Sequence, residues 1–280
     1  ASPTTSSTYN AGYIKAQKRF SSGLSFLTNF TVSKYLSDTM WAPGTYGSIP
    51  RDYYNRRLDK GLRHGDVARR LVLSYSYELP FGPGRRFLGN TGLIGKMVLS
   101  GWTVSAIQQY ESGPPAVLDG YQSIPVPLTP SITTSGSRAD RVVGVPVRSS
   151  TSCRDIRYGD RTNPRAYLFN AGNAAEAAAI GLPLAFVPEG DFKIGNTPST
   201  DPHARQCPVF NEDVSVTKDF PVIKERLKVR FGADFFNIFN RHTWNSGEYG
   251  QDVGQSNFGI AQPYQISGPR IVQMHVRVEF

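Results

Sequence analysis

In Arg270-Ile-Val-Gln-Met-His-Val-Arg-Val-Glu-Phe280, apolar and polar side chains alternate strictly from Val272 to the end. Val272, Met274, Val276, Val278 and Phe280 fall on one side of an extended strand, and Gln273, His275, Arg277 and Glu279 fall on the other. Such a chain must build a sheet with one dry face and one wet face. A half-buried strand of a soluble sandwich alternates in the same way. A membrane barrel also accounts for the aromatic ending at Phe280, because one face meets lipid, the other a wet lumen, and an aromatic ring suits the interface.

Composition narrows the choice. Hydrophobic residues make up 39% and charged residues 19% of the 280, while Tyr (14), Phe (16) and Gly (27) are plentiful. A mean hydropathy of −0.34 fits apolar residues spread at alternate positions rather than gathered in blocks. No run approaches the roughly 18 apolar residues of a membrane helix, which excludes a helical membrane protein. The opening Ala1-Ser-Pro-Thr-Thr-Ser-Ser-Thr8 has neither the charged nor the apolar region of a signal peptide. The chain shown is therefore expected to begin after processing or to be a piece of something longer. The net charge of +9 is scattered through loops and interleaved with Asp52, Asp59, Asp155 and Asp160, so no nucleic-acid face emerges. Anionic lipid headgroups or an acidic substrate fit that charge better.

The alternation recurs in residues 24–33, 67–79 and 227–239, and more weakly in 9–19, 98–110 and 211–220. Each segment has about the length needed to cross a bilayer at a barrel tilt. Connections alternate between short and long. Ser21-Ser-Gly23 and residues 221–225 are tight turns, and Pro80-Phe-Gly-Pro-Gly-Arg-Arg86 opens a medium link. Long excursions cover about 34–66, 111–210 and 241–269; the second contains an Ala-rich stretch, 173–180, that predicts a short helix. A sandwich has no reason for such regular asymmetry, whereas outer-membrane barrels have short periplasmic turns and long external loops. Phe20, Tyr75, Tyr77, Phe220 and Phe280 gather at the short-turn ends, and Phe30, Tyr35, Tyr110, Phe235 and Phe239 at the long-loop ends, as two interfacial girdles.

The expected fold is thus all-β, an antiparallel transmembrane β-barrel. About seven strands can be counted, and complete bacterial barrels have an even number. The parity predicts the C-terminal part of a larger barrel across residues 1–280. Its open edges would seek further strands, either upstream in the same protein or in neighbouring copies.

Side chains that could do chemistry are sparse. His64, His203, His242 and His275 form no zinc-protease pattern. Cys153 and Cys207 are read as one disulfide, with free thiols or a metal set including His203 as alternatives. Ser215-Val-Thr-Lys218 matches a nucleophile string, but residues three apart on a strand point to opposite faces. No catalytic residue, metal site or cofactor is expected, and the chain is not expected to be an enzyme. Lys228, Arg230, Asp234, Arg277 and Glu279 read as charge pairs bracing the wall, with a substrate path as the alternative. Trp41, Tyr46, Tyr53 and Tyr54 are the candidate substrate contacts, since loop aromatics dominate contact sites, with anchoring at the membrane interface as the alternative.

The order of motifs resembles the C-terminal barrel half of TonB-dependent outer-membrane transporters, in particular the Oar-like group with a carboxypeptidase-regulatory-like N-terminal domain. The matching pieces are Lys18-Arg-Phe20, Gly65-Asp-Val67, Arg70-Leu-Val-Leu-Ser-Tyr75, Tyr77-Glu-Leu-Pro-Phe-Gly82 and Gly101-Trp-Thr-Val-Ser105. They continue with Ser112-Gly-Pro-Pro115, Gly195-Asn196, Asp213-Val-Ser-Val-Thr-Lys-Asp-Phe220, Arg230-Phe-Gly-Ala-Asp-Phe-Phe-Asn-Ile-Phe-Asn240, Phe258-Gly259 and Pro269-Arg270. Residues from about 118 to 188 match least. The resemblance implies energised import in the bacterial outer membrane, with a plug and a TonB contact supplied by N-terminal parts that these residues do not include. Implied partners are outer-membrane lipid, the TonB system and, through the Phe280 strand, the barrel-assembly machinery. A structural or adhesive surface protein that assembles through strand edges is the main alternative, and a passive porin the third.

Overall fold

The computed structural model describes residues 5–39, 52, 54–90, 92–118, 138–187, 195–198, 200–223, 227–243, 253, 258–261 and 267–280. The elements run β1 (Ser7–Ser21), β2 (Leu24–Ser37), β3 (Gly61–Leu62), β4 (Arg69–Glu78), α1 (Leu93–Leu99), β5 (Trp102–Glu111) and β6 (Pro115–Val117). They continue with β7 (Asp140–Arg141), α2 (Ala174–Ile180), β8 (Phe186–Val187), β9 (Thr200–Arg205), β10 (Val209–Ile223), β11 (Leu227–Phe236) and β12 (Ile271–Glu279). Among the described residues no helix is long and apolar enough to cross a membrane, a fact with no bearing on strands.

Seven long strands form one antiparallel sheet in the order β1-β2-β4-β5-β10-β11-β12, and the short β3 pairs with the end of β2. Among the described residues β1 pairs with β2 alone and β12 with β11 alone. The register is continuous from strand to strand. Ser25 faces Ser76, Ser76 faces Ser105, Ser105 faces Ser215, Ser215 faces Asp234, and Asp234 faces Gln273. Because cross-strand partners share a face, this row and its neighbours two residues away define a polar side. The intervening row, Phe26, Tyr75, Ala106, Val214, Phe235 and Val272, lies on the apolar side.

All connections at one end are short or medium, and those at the other end are long. Ser22 (φ 53°) and Gly23 (φ 80°) make a two-residue hairpin turn in which both residues need positive φ. Residues 79–101 link β4 to β5 at the same end, where the Glu78 amide donates to the Gly23 carbonyl at 2.7 Å. The long excursions are 38–68, 112–208 and 237–270; longer β2 and β10 shorten the first two, while the early end of β11 lengthens the third.

Three expectations need correction. Residues 98 and 99 belong to α1, not to the strand, and β5 begins at Trp102. Gly101 (φ 78°) breaks the path between them, and a Cβ there would sit 2.6 Å from the Asp219 carbonyl oxygen. Strand β11 stops at Phe236, because Asn237 enters the left-handed region at φ 50°. Tyr35 pairs with Tyr9 on the polar side, edge to face at 5.8 Å, rather than joining an outer girdle.

The deepest burial lies outside the sheet. Leu118, Val147, Leu168, Phe169, Phe186, Val253 and Phe258 form a core within the excursions, with Phe186 edge-on to Phe258 at 5.5 Å. Far from being plain loop, the second excursion folds into a cap with its own apolar centre. It uses two small strand pairs, β6 with β9 and β7 with β8, and helix α2. Cys153 and Cys207 are joined by a disulfide that ties the cap to the start of β10.

Candidate functional site

Two surfaces present chemistry. The first is a cleft of about 710 Å³ over the middle of the sheet, lined by Ser25, Ser74, Ser76, Ser105, Ser215, Asp213 and Asp234. Leu27, Ile107 and Phe236 also line it and are exposed. Their signal was available, since Leu27 has the parity of Ser25 and Ile107 that of Ser105. A wall that mixes hydroxyls with three open apolar side chains can hold an amphipathic solute or a packed protein surface. The Ser105 hydroxyl donates to Ser76 at 2.9 Å, which leaves acceptor capacity in the row.

Below the cleft, toward the short-turn end, the charges expected on this side form a ladder. Arg230 forks onto Asp219 at 2.6 and 2.9 Å and reaches Glu279 at 3.4 Å. Arg277 meets Glu279 at 3.3 Å, and His275 meets Asp234 at 3.1 Å. The bracing role suits these pairs, because Arg230 reaches both β10 and β12 and His275 reaches β11, while Arg277 and Glu279 pair along β12; Lys228 stands on the same face.

The second surface is the cap where it meets the rim. Asp66, only 1% exposed, accepts from the Tyr35 amide at 2.6 Å and pairs with the Arg205 guanidinium. Arg205 also donates to the Asp66 and Gly113 carbonyls at 3.2 and 3.1 Å. One arginine thus joins β9, the loop before β4 and the exit of β5. Beside it the Thr200 hydroxyl donates to the Leu62 carbonyl. Arg141 pairs with Asp201 at 2.6 Å within the cap.

Helix α2 holds a carboxyl poised to titrate. Asn173 caps the helix by accepting from the Glu176 amide at 2.8 Å, and Gly181 ends it at φ 71°. Glu176 is 5% exposed and accepts from the Gly172 amide at 3.2 Å. Burial pushes its carboxyl up to about 7, the Gly172 hydrogen bond pulling weakly the other way. A raised carboxyl stabilises the fold in its protonated form. That contribution is complete below the ordinary carboxylate range and is lost as pH rises through about 7. It amounts to about 3 kcal/mol. Amide exchange in α2, corrected for intrinsic rates, should accelerate on the order of a hundredfold between pH 5 and pH 8, and Glu176→Gln should flatten that rise. Equal protection at both pH values would refute the assignment. Burial also pushes Tyr158 up to about 12.

Of the loop aromatics singled out, Tyr54 is 89% exposed, its amide donating to Asp52 at 2.8 Å. Trp41, Tyr46 and Tyr53 lie outside the described residues, as does the middle of the 221–225 turn. Phe280 is fully exposed after β12. The disulfide takes both sulfurs away from any metal set with His203. Ser215 and Lys218 occupy opposite faces of β10.

A family model described as an outer membrane beta barrel domain matches residues 1–273. No curated protein and no solved structure matches the chain.

Proposed function

This chain belongs to the outer membrane beta barrel domain family and resides in the bacterial outer membrane, and we propose that it is the barrel portion of a TonB-dependent importer. The observation that carries the reading is the pairing of an amphipathic cleft on the polar face with a folded cap at the long-loop end. A passive conduit needs neither a cap with its own core nor a disulfide holding it. The motif order supports the importer subtype, and short turns on the periplasmic side place the cap outside the cell. Solute is first held by the cap and the loop aromatics, Tyr54 among them, and then passes along the serine-lined wall.

In this reading residues 1–280 are the C-terminal part of a larger barrel, and the open edges of β1 and β12 receive further strands of the same protein. Plug and TonB contact lie upstream. Phe280 and the apolar side of β12 are what the assembly machinery handles. No catalytic step and no cofactor enters this scheme. The second reading, edge-to-edge assembly of copies, draws on the same two edges.

The test compares solutes left in the medium by wild-type cells, by cells lacking this gene, and by wild-type cells treated with a protonophore. An importer leaves one solute class unconsumed in both the second and third cultures. Uptake that survives the protonophore but not the deletion means a porin. Identical media in wild type and deletion, with loss of cell–cell or surface attachment, mean the structural reading.

A further inference from the structure

Between Leu79 and Gly101 the chain carries three basic residues, Arg85, Arg86 and Lys96, and no acidic one. Five hydrophobic side chains there are exposed: Phe87 (48%), Leu88 (51%), Ile94 (78%), Met97 (58%) and Val98 (57%). Ile94, Met97 and Val98 stand at i, i+3 and i+4 of α1, so they form one apolar stripe. Exposure of this kind in a link of a soluble protein would be a liability; at a membrane surface it has a use.

The side of the sheet that holds α1 decides what it faces. The Trp102 indole donates to the Val98 carbonyl at 2.8 Å, and the Lys218 ammonium donates to the Ser100 carbonyl. Trp102 and Lys218 are cross-strand partners on the apolar side. The Lys218 ammonium also lies 5.0 Å from the Trp102 ring centre and 4.8 Å from that of Phe220. Both tethers therefore come from the lipid-facing wall at the periplasmic end, and the stripe continues that wall. Arg85 is turned away to Glu78 at 2.8 Å. Arg86 is exposed and holds its guanidinium 5.5 Å from the centre of the Phe87 ring.

We propose that residues 80–100 form a lipid anchor seated on the periplasmic leaflet. Ile94, Met97 and Val98 enter the boundary between headgroups and acyl chains, with Phe87 and Leu88 beside them. Arg86 meets the phosphates of anionic phospholipids, a contact the absence of acidic residues in the link favours. The occupant is a membrane rather than a soluble protein, because the stripe is continuous with a surface that lipid already covers. The anchor rests on the outer-membrane placement and is independent of whether the barrel imports anything.

The test attaches an environment-sensitive fluorophore to Met97→Cys, the native cysteines being joined to each other. The full-length protein is reconstituted in vesicles of phosphatidylethanolamine with phosphatidylglycerol, and its folded gel mobility is checked first. Lipids brominated near the headgroup end of the acyl chain should quench the probe. Arg86→Glu, or vesicles of phosphatidylcholine alone, should reduce that quenching at least twofold. A probe unquenched by these lipids yet open to aqueous iodide overturns the anchor. A probe shielded from both overturns it in favour of a protein partner. Quenching equal in the two vesicle types and in Arg86→Glu overturns the phosphate contact.

Discussion

Replacing Asp66 by alanine should release the cap from the rim while leaving the sheet standing. The carboxylate is almost wholly buried and serves two groups that have no substitute nearby, the Tyr35 amide and the Arg205 guanidinium. Without it a backbone donor loses its acceptor and an arginine that is 22% exposed is left without a counter-charge. Breaking one side of a buried pair costs about 3–5 kcal/mol, and the partial exposure of Arg205 puts this case near the lower limit, about 3 kcal/mol. The links that remain run to neutral backbone acceptors, from Arg205 to the carbonyls of residue 66 and Gly113 and from Thr200 to that of Leu62, each worth about 1–2 kcal/mol. Trypsin added to intact cells should therefore nick the cap on the order of a hundred times faster in Asp66→Ala, while the folded barrel keeps its gel mobility. Asp66→Asn, which keeps an acceptor for Tyr35, should fall between. If nicking is unchanged, the cap is held by something other than this clasp.

The sheet was legible in the sequence because a wall between lipid and water forces period-two alternation. Leu71, Leu73, Tyr75 and Tyr77 could be assigned to one face with no knowledge of their partners, and β4 places them there. The Ser21–Gly23 turn and the short Ala-rich helix could also be read from local composition, and the disulfide from the presence of just two cysteines. Helix α1 was missed because seven residues containing a glycine offer too little periodicity to outweigh an adjoining strand.

The cap was not legible for a different reason. Its core draws Leu118, Val147, Phe169, Phe186 and Phe258 from segments that share no period and lie far apart in the chain. Their burial depends on close passage of irregular backbone. A Cβ on Gly195 would fall 1.5 Å from the Arg138 carbonyl oxygen, and one on Gly172 would fall 2.2 Å from that of Val253. Such contacts are set by the path of the chain rather than by local propensity. The same holds for Asp66. It stood in the quoted Gly65-Asp-Val67 motif, but nothing in the motif revealed Arg205, 139 residues away.

Asn237-Ile-Phe-Asn240 shows how a quoted motif gains a mechanism from its geometry, and it leads to the second large effect. Asn237 and Asn240 both adopt φ 50°, which asparagine tolerates better than most residues. The Asn237 amide group donates to the carbonyls of Arg241 and Gly268 at 2.9 and 3.0 Å, so it closes the third excursion at its base. That closure delivers Arg241 to Glu212, a carboxylate on the apolar side of β10 with no exposed surface. Arg241 Nε lies 2.8 and 2.9 Å from the two carboxylate oxygens, and the guanidinium sits over the Phe210 and Phe239 rings at 5.3 and 5.4 Å. In Arg241→Ala the carboxylate stays buried against the lipid side with no cation, which should cost about 3–5 kcal/mol. Arg241→Lys keeps the charge but loses the planar stack on the two rings and the Nε contact to both oxygens, and should recover only part of that. The double variant Arg241→Ala with Glu212→Gln removes the stranded charge and should regain most of the loss, a coupling that separate effects would not produce. The temperature at which the folded band converts to the unfolded one on a gel reads all four proteins. A double variant no better than Arg241→Ala would mean that the loop, and not the ion pair, holds this end of the sheet.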